Sequence, residues 1–347
     1  MAPHPSASPS RAVPAWLFAC AALVFLMVVV GGITRLTHSG LSIVEWQPLV
    51  GTLPPLNDAE WAATFDKYKA TPEFRLRNHD MTLEGFKGIF WWEYYHRLLG
   101  RVIGAAFLLP FLFFLATGRV RGALAWKLAG IFALGGVQGA MGWYMVKSGL
   151  VDDPRVASER LAAHLGLAFL IFALLFYTAL GLRHPARPAV DRPRARRAAS
   201  VLVGLVFVMV LSGALVAAIR AGYAYNTWPL MNGAWIPPEI LMLAPWWENF
   251  LHNMATVQFV HRTIAMLVAA AVVVAWSLAG RESPDARVEI WRHALLGMAS
   301  LQIAIGITTL LTRVPIPLAA LHQAGAVLLF ACALGLRHAL RAPALQR

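Results

Sequence analysis

Eight runs of about 20 mostly apolar residues, the length a helix needs to cross roughly 30 Å of hydrocarbon, are separated by polar connections. They fall at about 14–34, 89–116, 126–147, 160–182, 199–219, 255–279, 293–312 and 316–336. The pattern predicts an all-α membrane protein with eight transmembrane helices. The first run, Pro14 to Ile33, is longer than a signal-peptide core and lacks a small-residue cleavage site followed by a polar start, so it reads as a retained span. Composition points the same way, with 59% hydrophobic and only 14% charged residues.

The net charge of +13 would suit a nucleic-acid partner if it lay on one soluble face, but it is confined to particular connections, so no nucleic acid is expected. The segments 118–127 and 183–197 carry nine Lys or Arg against one acid, and Arg281, Arg287, Arg292, Arg337 and Arg341 flank later connections and the tail. Short basic loops stay cytoplasmic, which predicts both termini inside. The 35–88, 145–160, 220–254 and 313–316 connections are then outside. The two cysteines, Cys20 and Cys332, lie within predicted spans and read as small apolar packers.

The chain repeats itself. "VFLMVVVGG" (24–32) answers "VFVMVLSGA" (206–214), and "WQPLVGTLPP" (46–55) answers "WPLMNGAWIPP" (228–238). "EYYHR" (93–97) answers "QFVHR" (258–262), "VQGAMG" (137–142) answers "LQIAIG" (301–306), and the segments starting at Leu161 and Leu318 also match. Repeats in the same order and orientation predict two pseudo-symmetric four-helix bundles side by side. The expected organisation is a cytoplasmic tail (1–13), an N-terminal four-helix unit with a long outer loop (14–182) and a cytoplasmic linker (183–198). A C-terminal four-helix unit (199–336) and a tail (337–347) follow.

The repeat singles out four histidines. His96, His164, His261 and His322 sit near the outer ends of the even-numbered spans, two per unit. Ionisable groups within spans are costly and by default functional. Two imidazoles per bundle, with no Cys, Asp or Glu cluster to complete a shell, fit the axial positions of a haem iron better than a tetrahedral or octahedral site. Gly100, Gly104, Gly139, Gly142, Gly166, Gly306 and Gly325 would let a flat macrocycle lie between helices, or serve ordinary close packing. Arg97 and Arg262 either neutralise haem propionates or snorkel to the interface; Arg101, about one turn below Arg97, is expected to pair with an acid or with lipid.

The halves differ at one chemically loaded position. Glu93, three residues before His96 and on the same helix face, is matched by Gln258. A carboxylate beside a porphyrin can stabilise developing positive charge or take up a proton, and it can also simply pair with Arg97. The first outer loop is much longer than the others, as functional lids or partner-binding segments often are, and its 57–88 stretch has room for a short surface helix.

Taken together, "GGITRLTHSGLSIVEWQPLVGTLPP", "WWEYYHRLLGRVIG", "AAHLGLAF", "QFVHRTIA" and "LHQAGA" resemble the haem A synthase family, from about residue 20 to 335. The resemblance implies a haem-dependent membrane oxidoreductase that oxidises the C8 methyl of haem O to the formyl of haem A, needed for cytochrome oxidase assembly. It implies haem b on His261 and His322, haem O or haem A as substrate or product on His96 and His164, and Glu93 as the functional glutamate. Candidate partners are the haem O-forming farnesyltransferase, cytochrome oxidase assembly factors, membrane lipid and a second copy of the chain. The expected location is a bacterial plasma (inner) membrane. Some relatives carry cysteine pairs in the outer loops and this chain has none. The alternative is a dihaem b-type, quinol-linked membrane electron carrier, although haems serving transmembrane transfer are better placed at opposite depths.

Overall fold

A computed structural model describes residues 11–46, 50–151, 154–184, 192–283 and 285–341. The expected tail up to residue 10, the middle of the linker (185–191) and the last residues of the C-terminal tail (342–347) lie outside the described residues. Long helices run over Ala12–Leu36 (α1), Leu83–Ala116 (α4), Gly122–Ser148 (α5), Ser158–Arg183 (α6), Pro193–Ala218 (α7), Met254–Glu282 (α9), Ala286–Leu311 (α10) and Ile316–Ala339 (α11). These eight are long and apolar enough to span a bilayer, and the chain is a multi-pass membrane protein. Short helices Asp58–Lys69 (α2), Pro72–Arg77 (α3) and Asn249–His252 (α8) lie in the connections. Helices alone can span lipid as separate segments, because each satisfies its backbone groups internally.

Packing follows the repeat. Helices α1, α4, α5 and α6 close one ring, and α7, α9, α10 and α11 close another. The rings meet where α1 touches α11 and α6 touches both α7 and α11. These four helices are accordingly the more buried ones, while α4, α5, α9 and α10 turn most of their apolar surface outward. Small residues allow the close approach across the seam: Gly166 of α6 faces Leu211 and Phe207 of α7, and Gly32 of α1 faces Gln323 of α11. The Gln323 amide donates to the Val28 carbonyl at 2.9 Å. In the last turn of α1, Arg35 Nη2 donates to the Ala217 and Ala218 carbonyls, both at 3.0 Å. It thereby serves acceptors at the C-terminus of α7 that have no partner within the helix. Cys20 packs in the apolar core that the two rings share.

The long first connection is more organised than a single surface helix. Asn57 caps α2 by accepting from Glu60 N at 3.0 Å, and the Glu60 carboxylate accepts in return from Leu56 N and Asn57 Nδ2. This is a reciprocal capping arrangement. Trp61, Phe65 and Tyr68 share one face of α2 by helical spacing, and they pack on Phe86, Phe90 and Tyr94 in a separate aromatic core. That core explains why α4 is 34 residues long: its first turns rise beyond the other spans to support α2.

Beneath this core, Glu73 of α3 is 3% exposed and accepts from the Tyr68 hydroxyl at 3.3 Å, while Asn78 Nδ2 donates to the same hydroxyl at 2.7 Å. Burial pushes the Glu73 carboxyl up from 4.5 to about 7, with the Glu93 charge adding to the rise. Because the folded segment holds its proton more tightly than the unfolded one, the Glu73 contribution favours folding at low pH and is lost as pH rises from about 4.5 to about 7. Limited proteolysis of the 57–82 segment is expected to accelerate across that window in the wild type. In Glu73→Gln the acceleration is expected to be much weaker.

Candidate functional site

The four histidines are placed by helix register. His96 lies on α4, His164 on α6, His261 on α9 and His322 on α11, and these helices all run away from the end that carries the 37–82 and 219–253 connections. Each ring rests on a glycine of a neighbouring helix. A Cβ on Gly31 of α1 would lie 2.9 Å from His96 Cε1, and one on Gly142 of α5 would lie 3.0 Å from His164 Cε1. The corresponding distances are 3.2 Å from Gly213 of α7 to His261 and 2.7 Å from Gly306 of α10 to His322. All four glycines sit five or six residues before the C-terminus of their helix, so the imidazoles share one depth. His96 and His164 thus belong to one ring of helices, and His261 and His322 to the other.

Polar neighbours orient this set. Gln138 Nε2 donates to the His164 carbonyl at 3.1 Å, and its repeat partner Gln302 donates to the His322 carbonyl at 2.8 Å. Ser212 Oγ lies 2.8 Å from His261 Nδ1 while donating its hydroxyl proton to the Met209 carbonyl at 2.8 Å. With its proton committed, the serine oxygen accepts from Nδ1–H, which leaves the Nε2 lone pair of His261 for another ligand. In the first unit, Val30 occupies the position matching Ser212, and His96 Nδ1 is buried without a hydrogen-bond partner.

Among the described residues no cluster of three or more His, Cys, Asp or Glu could hold a metal ion. What the fold offers is two imidazoles per unit. A porphyrin iron already carries four ring nitrogens and needs only two axial donors, and neutral imidazole is a suitable donor. The residues present therefore fit a haem, with the glycines bringing the helices close enough to set each ring.

Glu93 and Arg97 form the other feature of the first unit. Glu93 is 3% exposed and its Oε1 accepts from Arg97 Nη2 at 2.7 Å and Nε at 3.1 Å. Its Oε2 accepts from the Ser42 hydroxyl at 2.7 Å and from Ile43 N at 2.8 Å. Arg97 also donates to the Ile43 and Glu45 carbonyls, at 2.7 and 3.0 Å, and lies 5.9 Å from the Trp46 ring centroid. The pairing alternative for Glu93 is thus realised, and all three Arg97 nitrogens have protein partners.

The second unit repeats this frame without the charge. Gln258 Oε1 accepts from Arg262 Nη2 at 3.2 Å, and its amide donates to the Ala221 carbonyl at 2.8 Å. Arg262 reaches the Tyr225 carbonyl at 2.9 Å and lies 6.0 Å from the Trp228 centroid. In both halves the residue three before the histidine and the arginine after it clamp the adjoining connection onto the helix.

A family model described as cytochrome oxidase assembly protein matches residues 14–334. The chain belongs to this family. It is 57% identical over 330 residues to a protein of Nitrosospira multiformis named heme A synthase, covering 94% of this chain and 92% of that one. It is 52% identical over 323 residues to a heme A synthase of Nitrosomonas eutropha, with 92% and 91% covered. A heme A synthase of Rhodospirillum centenum is 48% identical over 344 residues, with 98% and 91% covered.

Of the glycines picked out in the sequence, Gly142 and Gly306 seat histidines, Gly325 and Gly166 serve helix packing, and Gly104 and Gly139 face open space. Sequence reasoning did not pick out Gly31, Gly213, Ser42, Ser212, Gln138, Gln302, Trp46 or Trp228 as parts of the site. All but Ser42 lie inside the repeated motifs, which is the signal that marks them. Arg97→Ala leaves the buried Glu93 carboxylate unpaired and is expected to cost about 3 kcal/mol or more of stability. Arg262→Ala leaves only a neutral amide and is expected to cost clearly less. Equal losses in thermal denaturation of the detergent-solubilised protein would exclude the charge as the source of the difference.

Proposed function

We propose that the chain is a haem A synthase, a membrane oxidoreductase that converts the C8 methyl of haem O to a formyl group. The observation that carries this reading is the duplicated histidine pair, each ring seated on a glycine at one depth, in a chain whose curated relatives bear that name. In this reading residues 14–182 form the substrate unit, with His96 and His164 holding haem O and then haem A. Residues 199–336 form the cofactor unit, with His261 and His322 holding haem b. The bound haem b supplies one-electron transfer. The reading also favours a single loop-bearing depth for both pairs over transmembrane electron transfer between opposite faces.

Conversion of a methyl to a formyl group removes two electron pairs and four protons and takes its oxygen from water. His96 and His164 would hold the macrocycle through its iron, so that it stays among the same protein groups of the first unit at each stage. Glu93 contributes a fixed negative charge on the first unit only. Both of its oxygens are occupied by donors, which suits stabilisation of positive charge better than repeated proton uptake. In this reading residues 42–45, clamped by Glu93 and Arg97, limit water at that end of the first unit. The substrate comes from a farnesyl-transferring reaction on haem b, and the product goes to cytochrome oxidase assembly. Basic connections at the opposite end support an orientation with that end and both termini in the cytoplasm of a bacterium, across its plasma membrane.

Two experiments test the assignment. Chromatography of pigment extracted from purified Glu93→Gln should show haem retained and formylated haem strongly reduced relative to wild type; unchanged product yield would remove Glu93 from the chemistry. Gly306→Ala, which crowds His322, should lower haem bound per protein. Gly297→Ala on the same helix, where a Cβ meets nothing within 4 Å, should leave it intact.

A further inference from the structure

The connection between α7 and α9 ends in a stretch that exposes apolar side chains outside any spanning helix. Met242 is 69% and Trp246 65% exposed, and Leu241, Leu243, Trp247 and Phe250 are also open. The counterpart in the first unit behaves differently, since Trp61, Phe65 and Tyr68 turn inward to form their own core.

This exposure is held in place by a built scaffold. Asn249, fully buried, accepts from Leu243 N at 2.9 Å and donates to the Leu243 and Trp246 carbonyls at 2.8 and 2.9 Å. Asn253 Nδ2 donates to Asn249 Oδ1 at 2.9 Å, and the Asn253 side chain caps α9. The Leu241 amide donates to Thr256 Oγ1 at 3.0 Å, which sets the patch level with the first turn of α9. Trp246 makes edge contacts with Trp247 and Phe250, with centroids 6.2 and 5.9 Å apart. Between residues 240 and 250 the only ionised side chain is Glu248, which pairs at 3.2 Å with His252 if that ring is protonated.

We propose that Leu241–Phe250 is an interfacial seat that rests in the lipid leaflet next to the loop-bearing end. Three arguments select lipid as the occupant. The patch continues the lipid-facing surface of α9, whose first residue, Met254, is itself 44% exposed. Its height matches the start of a spanning helix, where the bilayer meets water. Its chemistry, two indoles among aliphatic side chains with almost no charge, is that of side chains enriched at membrane–water interfaces. Helix α8 also packs beside α6, so the seat steadies the end of the helix that bears His164. The inference concerns depth and holds whichever side of the membrane this end faces.

The test uses the full chain in lipid nanodiscs with both native cysteines replaced by alanine. A spin label is attached at Met242→Cys or, as a reference, at Leu76→Cys on α3, where the leucine is 66% exposed. The label at 242 is expected to collide several-fold more with oxygen than with a water-soluble nickel chelate, and the label at 76 to show the reverse. A nickel-accessible label at 242 would put the patch in water, and a label shielded from both reagents would put protein over it; either result overturns the proposal. A second measurement keeps the native cysteines and uses lipid brominated close to the headgroup. Trp246→Phe/Trp247→Phe should then reduce bromine quenching of the tryptophan fluorescence, and unchanged quenching would also overturn it.

Discussion

A polar ring inside a bilayer-spanning helix must be met by something other than lipid. Here the first partner of each imidazole is a glycine. Without a Cβ on Gly31, Gly142, Gly213 or Gly306, the facing helix comes close enough to seat the ring. Four repetitions of this contact fix much else. They set which helix pairs are adjacent and hold the four histidines at one depth. Gln138 and Gln302 reinforce the arrangement by tying α5 to α6 and α10 to α11 at the level of the histidine backbone.

The two rings of helices are joined into one frame by a seam of small residues and a few directional bonds. Gln323 reaches Val28 across the seam, Arg35 reaches the end of α7, and Arg220 Nη2 lies 2.9 Å from His38 Nδ1. Burial, with Arg220 and Arg35 adding to it, pulls His38 down to about 4, so it meets the guanidinium as a neutral acceptor. His38 and Arg220 occupy matching positions of the two repeats, and both have left-handed backbone with φ of 56° and 57°. The duplicated chain therefore meets its own copy where the two connections leave the membrane.

On this shared frame the halves carry different chemistry. Position 93 is a buried carboxylate where position 258 is a neutral amide, and a serine orients His261 where valine stands beside His96. Each change is a single side chain in an otherwise preserved clamp. Duplication can supply two similar rings of helices and then let single side chains make them differ.

The sequence determined what depends on counting and periodicity. Span number, the two-unit repeat, the matching positions of His96, His164, His261 and His322 in the repeats, and the Glu93/Gln258 difference are all readable because hydrophobic length and repeat register are linear properties of a chain. It also offered a porphyrin edge or pairing with a basic residue such as Arg97 as roles for Glu93, without choosing between them. Tertiary structure decided in favour of Arg97, Ser42 and Ile43, because Ser42 is 51 residues distant along the chain and no local pattern brings it to a helix that starts at Leu83. The same holds for the glycine seats and the seam between α1 and α11. They depend on which faces of separate helices meet, and side-chain volume at those contacts is set by the folded packing rather than by any single segment.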